Sequence, residues 1–186
     1  MAKKSTFGNM VLVLSGICLV CSALLGTVYA VTKAPIEASE LAKVNAAISA
    51  VTPAFDNIPS EDVRTLDDGA QIYTSRMGGQ VVGYAIKVST SGFGGPLTIM
   101  VGFTPDGTVY NTSVISHSET PGLGAKAGEW FQQGNKGDII GKNPATPLSV
   151  KKDGGEVDAI SGSTITSRAF CEAINNAYNT FQGIEK

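Results

Sequence analysis

"PLTIMVGFTPDGTVYNTSVISH", residues 96–117, decides the fold of this chain. Apolar side chains alternate with small and polar ones on either side of Pro105-Asp106-Gly107. Alternation is the period of a strand, and Pro-Asp-Gly is a turn with a mechanism: proline presets φ, and glycine accepts a positive one. The stretch reads as a β-hairpin. Just upstream, "AQIYTSRMGGQVVGYAIKVST", residues 70–90, reads as a second pair of strands around the turn dipeptide Gly78-Gly79. Strands are therefore expected across residues 70–117.

Downstream, "AGEWFQQGN", residues 127–135, suits a short helix. The last element is plainer. Phe170, Ile174, Ala177 and Phe181 recur at i, i+4, i+7 and i+11, with Asn175, Asn176 and Asn179 opposite. That spacing predicts an amphipathic helix packed on a sheet. The fold class is α+β, a mixed or antiparallel sheet with packed helices, spanning residues 63–186.

Upstream the composition changes. No charge occurs from Ser5 to Thr32. "MVLVLSGICLVCSALLGTVYAV" exceeds the roughly 20 residues that cross a hydrocarbon core. A cleaved signal peptide is the rival reading. Lys3 and Lys4 would be its basic start and Val28-Tyr29-Ala30 its cleavage site, but the apolar run is longer than such peptides use. Residues 1–32 are therefore read as a retained single-pass anchor. Lys3 and Lys4 tilt the positive-inside balance toward a cytoplasmic N-terminus, with the main domain outside. "APIEASELAKVNAAISAV", residues 34–51, reads as a juxtamembrane helix that starts at Pro35, and residues 52–62 as a linker.

The net charge of −2 over 186 residues argues against nucleic acid. One histidine, His117, cannot make a His-rich metal site. Cys18 and Cys21 have CxxC spacing but lie in the apolar run, where thiols act as small apolar fillers; neither stands in a lipobox. Cys171 is alone in the soluble part and reads as a buried apolar side chain.

Three glycine-rich stretches could carry chemistry. "SGFGGP", residues 91–96, is either a flexible loop or a place of close backbone approach. "HSETPGLGAKAGEW", residues 117–130, is either a structural turn or a cradle for a planar aromatic ligand. In the second case Leu123 covers a face, and Glu119 or Thr120 bonds the ring edge. His117 is read as a strand residue and Trp130 as core or rim. "DAISGSTITSR", residues 158–168, packs five hydroxyls, Ser161, Ser163, Thr164, Thr166 and Ser167, just before the last helix. A helix N-terminus with hydroxyl donors and Gly162 favours a phosphate. The alternative is an elaborate cap built on Thr166 or Ser167. There is no Walker lysine, which argues against an NTPase. No acid/base pair is evident.

Asp158-Ala159-Ile160-Ser161-Gly162-Ser163-Thr164 resembles the flavinylation motif of covalently flavinylated membrane proteins: Asp, two residues, Ser or Thr, Gly, Ala, Thr. Ser163 stands where alanine is usual. An N-terminal anchor, "GFGGP", "DGTV", "ETPGLG" and the SGxT turn, in that order, resemble the G subunit of the Rnf ion-translocating ferredoxin:NAD oxidoreductase complex. The C subunit of the sodium-translocating NADH:quinone reductase is a relative of that family, and is the alternative. A non-redox anchored binding domain is the reading outside it.

The resemblance implies FMN esterified through its phosphate to Thr164. It implies that Asp158 belongs to the recognition motif and that Ser161, Gly162, Ser163 and Thr166 surround the phosphate. It places Glu119, Thr120, Gly122, Leu123 and Gly124 near the isoalloxazine. It further implies a separate flavin transferase that uses FAD and magnesium and releases AMP. The chain would be an electron carrier among other membrane and redox subunits, not a complete enzyme. It would sit in a bacterial cytoplasmic membrane with the FMN domain on the outer, periplasmic side.

Overall fold

Five strands follow one another in space in the order they occur in the chain. In the computed structural model, which describes residues 6–67 and 69–184, β1 (Val63–Thr65), β2 (Gln71–Met77), β3 (Gln80–Ser91), β4 (Pro96–Phe103) and β5 (Val109–His117) form one sheet. Every neighbouring pair is antiparallel. The two expected hairpins are present, with Gly78, Gly79 and Gly107 all at positive φ in their turns. The three-residue β1 at the sheet edge had no sequence signal.

The chain has two compact units, Met1–Ala42 and Lys43–Lys186. Helix α1 runs over Phe7–Val51 and contains Pro35. Its 45 residues are well over the roughly 20 that cross a hydrocarbon core. It is long and apolar enough to cross a membrane, and supports membrane anchoring. Cys18 and Cys21 are free thiols on its exposed surface. Thr27 and Thr32 return their hydroxyls to the carbonyls of Ala23 and Val28, each at 2.8 Å, so neither is left unpaired in an apolar medium. The expected start of a separate helix at Pro35 is not found. Proline cannot donate to the Val31 carbonyl, yet helical residues on both sides carry the helix through. Lys3 and Lys4, on which the orientation rests, lie outside the described residues.

Residues 52–62 are tied to the sheet and are not a free tether. Asp56 donates its N–H to the Arg76 carbonyl and accepts from the Gly78 N–H through its carboxylate; Asn57 brackets β2 from Thr74 to Arg76. Pro59–Glu61 forms a single 3₁₀ turn.

Both faces of the sheet are covered. On one side Leu97, Ile99, Val101 and Phe103 of β4 meet α3 (Thr164–Gln182). On the other, Met100, Tyr73 and Ala85 meet the last turns of α1 through Ala47, Ile48 and Val51. This is why β4 is buried without a break from Ile99 to Phe103, on both faces of the sheet. Gly102 lies on the α1 side, where a Cβ would fall on the backbone carbonyl of Val51.

The α3 stripe is buried as its spacing requires: Phe170, Ile174 and Ala177 are fully enclosed. Phe170 stacks on Phe131 at 4.2 Å, and Phe181 meets Tyr84 and Phe103 at 5.5 and 5.4 Å. Asn175 leaves the polar face to clasp Leu148, accepting from its N–H at 2.8 Å and donating to its carbonyl at 2.9 Å. Cys171 is buried, and that burial pushes its thiol up to about 11, so it is inert filler in the core.

Candidate functional site

The site is built where three loops converge on the start of α3. Thr164 is the first helical residue, reached through Gly162, whose φ of +77° turns the chain into the helix. The cap differs from the expected one. Ser163 occupies the cap position without a side-chain bond, while Thr166 and Ser167 already lie inside the first turn. Ser167 is a buried fastener: its hydroxyl accepts from the Ile160 N–H and donates to the Ser163 carbonyl, both at 2.9 Å. Thr166 is also buried and donates to Glu119 Oε2 at 2.8 Å. Neither oxygen reaches back to cap the helix, so the first-turn N–H groups stay open to another partner.

Glu119 is the knot of the site. Besides the Thr166 bond, its Oε1 accepts from the Gly94 N–H at 3.2 Å, and its own N–H donates to His117 Nδ1 at 3.2 Å. One carboxylate thus joins the 91–96 loop, the 117–124 loop and α3. The glycines are explained by this approach. A Cβ on Gly92 or Gly124 would intrude on the Glu119 carboxylate, and one on Gly124 also on the Thr166 hydroxyl. Glu119→Ala is expected to cost about 2 kcal/mol, since the buried Thr166 hydroxyl loses its acceptor and the Gly94 N–H loses its tie to the site. A melt of the full chain in detergent checks it; a midpoint within a degree or two of wild type would contradict the role given to Glu119.

Between these loops lies a cleft of about 300 Å³. Glu119, Thr120, Leu123, Gly124, Gly162, Ser163, Thr164 and Thr166 line it. Asp158, Ser161 and Gly122 do not. Asp158 pairs with Lys151 at 2.8 Å, and its carbonyl accepts from Trp130 Nε1 at 2.8 Å. Three lining residues escaped the sequence reading: Phe93, Ile165 and Lys152. Lys152 lies on a 3₁₀ turn, Lys151–Asp153, and its Nζ donates to Thr164 Oγ1 at 3.2 Å. Nothing in "KKDGG" signals that placement. Phe93 and Ile165 are more than half exposed, and Leu123 nearly so.

The arrangement has two chemical halves. Thr164, the Lys152 ammonium and the uncapped helix start favour an anion. Phe93, Leu123 and Ile165 offer apolar walls for a flat ring. A roomier groove of about 480 Å³ lies between β1–β3 and the far end of α3, but it has no such pairing of hydroxyl and ammonium.

Residues 92–179 match the family model described as FMN-binding domain. A curated relative, the G subunit of the ion-translocating oxidoreductase complex of Cereibacter sphaeroides, is 34% identical over 173 residues, covering 88% of this chain and 78% of the relative. The chain belongs to this G-subunit family. A second member, the G subunit of the Na(+)-translocating ferredoxin:NAD(+) oxidoreductase complex of Acetobacterium woodii, is 33% identical over 148 residues, covering 71% of this chain and 69% of that one. Among solved structures, the C subunit of the Na(+)-translocating NADH-quinone reductase from Parabacteroides distasonis is 27% identical, with a TM-score of 0.40 over 58% of each chain. The matched FMN-binding region takes in all three loops and the start of α3, so every residue lining the cleft lies inside it.

Proposed function

We propose that this chain is a membrane-anchored electron carrier of an ion-translocating ferredoxin:NAD oxidoreductase complex, holding FMN as a phosphoester on Thr164. The observation that carries this is the Thr164 hydroxyl at the mouth of an uncapped helix, 3.2 Å from a lysine ammonium, in a cleft with apolar walls.

The residues present fit the flavin. A phosphodiester at Thr164 needs one cation and several donors; Lys152 and the first-turn N–H groups supply them. Ser163 and Gly162 line the same end. Leu123, Phe93 and Ile165 are the candidates to cover the ring, and Thr120 to bond its edge. Both oxygens of Glu119 are engaged within the protein. Its part is to hold the walls in place. FMN supplies reversible one-electron redox chemistry; the protein supplies position and local charge. The covalent tether keeps the group in an open cleft from which a free flavin would leave.

The maturation partner is a flavin transferase that takes FMN from FAD with magnesium and releases AMP, recognising the turn that follows Asp158. The other partners are membrane and redox subunits of the complex. We place the FMN domain, residues 63–186, on the periplasmic side. Protease added to intact spheroplasts is expected to digest it; cleavage only in inverted vesicles would reverse the orientation.

The direct test is a denaturing gel. Purified from a host with the transferase, the chain should give a band fluorescent under ultraviolet light, and peptide mass mapping should place the FMN on the peptide holding Thr164. A dark band, with a known transferase substrate labelled in the same cells, overturns the reading.

A further inference from the structure

Lys152 reaches Thr164 from a turn that is unusually well fixed. The backbone on either side is tied down: the Lys151 N–H donates to the Val157 carbonyl at 2.9 Å and the Val157 N–H to the Ser149 carbonyl at 3.1 Å. Val150 and Val157 are buried beneath it. Lys151 pairs with Asp158. Asp153 receives Arg168 in a two-toothed grip, from Nε and Nη2, each at 2.7 Å. The Arg168 hydrogen bond holds the Asp153 carboxyl below its ordinary value, so the pair stays ionised at neutral pH.

Thr164 and Arg168 stand one helical turn apart, at i and i+4, on one ridge of α3. Lys152 and Asp153 are adjacent in the turn facing that ridge. Two neighbouring residues of the turn therefore grip two neighbouring positions of the helix. A lone lysine on a free loop would spread over many rotamers, and ordering it carries an entropic cost. Here the Asp153–Arg168 pair fixes the backbone from which the lysine projects.

We propose that the 151–153 turn is a two-point clip that holds the Lys152 ammonium on the Thr164 oxygen and so promotes its esterification, with Asp153 and Arg168 as positioning residues. This rests on the reading of Thr164 as flavin acceptor. In the transfer, the bond from Thr164 Oγ1 to phosphorus forms and the pyrophosphate P–O bond of FAD breaks. AMP leaves with that electron pair, and the hydroxyl proton passes to a base of the transferase. Lys152 donates to the oxygen and leaves the hydroxyl proton free for that base. Its charge offsets the negative charge that develops on the attacking oxygen, and later that of the phosphodiester.

A double-mutant cycle on the full chain, co-expressed with the transferase, tests this. Loading is followed by in-gel fluorescence and intact mass. Lys152→Met is expected to load about tenfold more slowly, and Arg168→Gln or Asp153→Asn about fivefold, with Arg168→Lys partly restored. Lys152→Met combined with Arg168→Gln should be no slower than Lys152→Met alone, because the pair acts only through the lysine. An exposed ion pair contributes little stability, so all variants should melt close to wild type. Wild-type loading in Arg168→Gln, or losses that multiply in the double variant, would overturn the clip while leaving the acceptor role of Thr164 intact. A wild-type chain that is never loaded would overturn both.

Discussion

Thr164→Ala is expected to yield a folded chain with no covalent flavin, a loss of at least about 100-fold in band fluorescence, since no other hydroxyl can take over the transfer. The geometry makes the variant informative. Thr164 is the first residue of α3, where alanine is well tolerated, and among the described residues its hydroxyl bonds only Lys152. The stability change should therefore stay within about 0.5 kcal/mol. Circular dichroism would confirm that a dark band is not an unfolded one. The four neighbouring hydroxyls are poor substitutes. Thr166 and Ser167 are fully buried and engaged, and Ser163 is buried at 8% exposure. Ser161 is exposed but lies outside the cleft. Thr164→Ser keeps the oxygen and should be loaded. Full fluorescence in Thr164→Ala would mean that the flavin is attached elsewhere.

Gly102→Ala should be the most damaging single-methyl change in the sheet. The added carbon has nowhere to go but the carbonyl of Val51, a backbone atom at the end of α1. Either β4 or the helix end must shift, and both are pinned by core contacts. A cost of about 3 kcal/mol follows, near the upper end for overpacking. For a unit of this size that lowers the midpoint by roughly 10 °C. Gly128→Ala is the control. Its methyl would meet only Val114, at 3.7 Å, within the short helix α2 (Ala127–Trp130). It should be neutral or gain up to about 1 kcal/mol from reduced chain entropy. If Gly102→Ala and Gly128→Ala melt alike, the close packing of α1 on β4 is wrong.

The hairpins and the α3 stripe were legible because each rests on local chemistry: turn residues at Gly78-Gly79 and Asp106-Gly107, and a 3.6-residue period from Phe170 to Phe181. The hydroxyl-rich turn was legible as the start of a helix for the same reason. What escaped depends on contacts between distant segments. Lys152 becomes a site residue only because a short turn folds against α3. Phe93 joins the cleft because Glu119 draws its loop inward through Gly94. Ser167 is not the cap that its position suggests, because a hydroxyl before a helix has two possible bonding directions. Its actual partners, Ile160 and Ser163, are set by how the preceding turn enters the core. The continuation of α1 through Pro35 shows the reverse case, a local breaker overridden by good helix formers around it.

The sheet order β1-β2-β3-β4-β5 has a consequence for biosynthesis. Each strand pairs with the one made just before it, so the meander can zip up as the chain leaves the ribosome. Thr164, the proposed flavin acceptor, opens the last helix, and the carboxylate that organises its surroundings is made 47 residues before Thr166, its partner there. The cleft therefore closes only when α3 docks on a finished sheet. A stalled or truncated chain could display the loops but not Thr164 set in its cleft, so under the proposed attachment flavin would be committed only to chains that had completed folding.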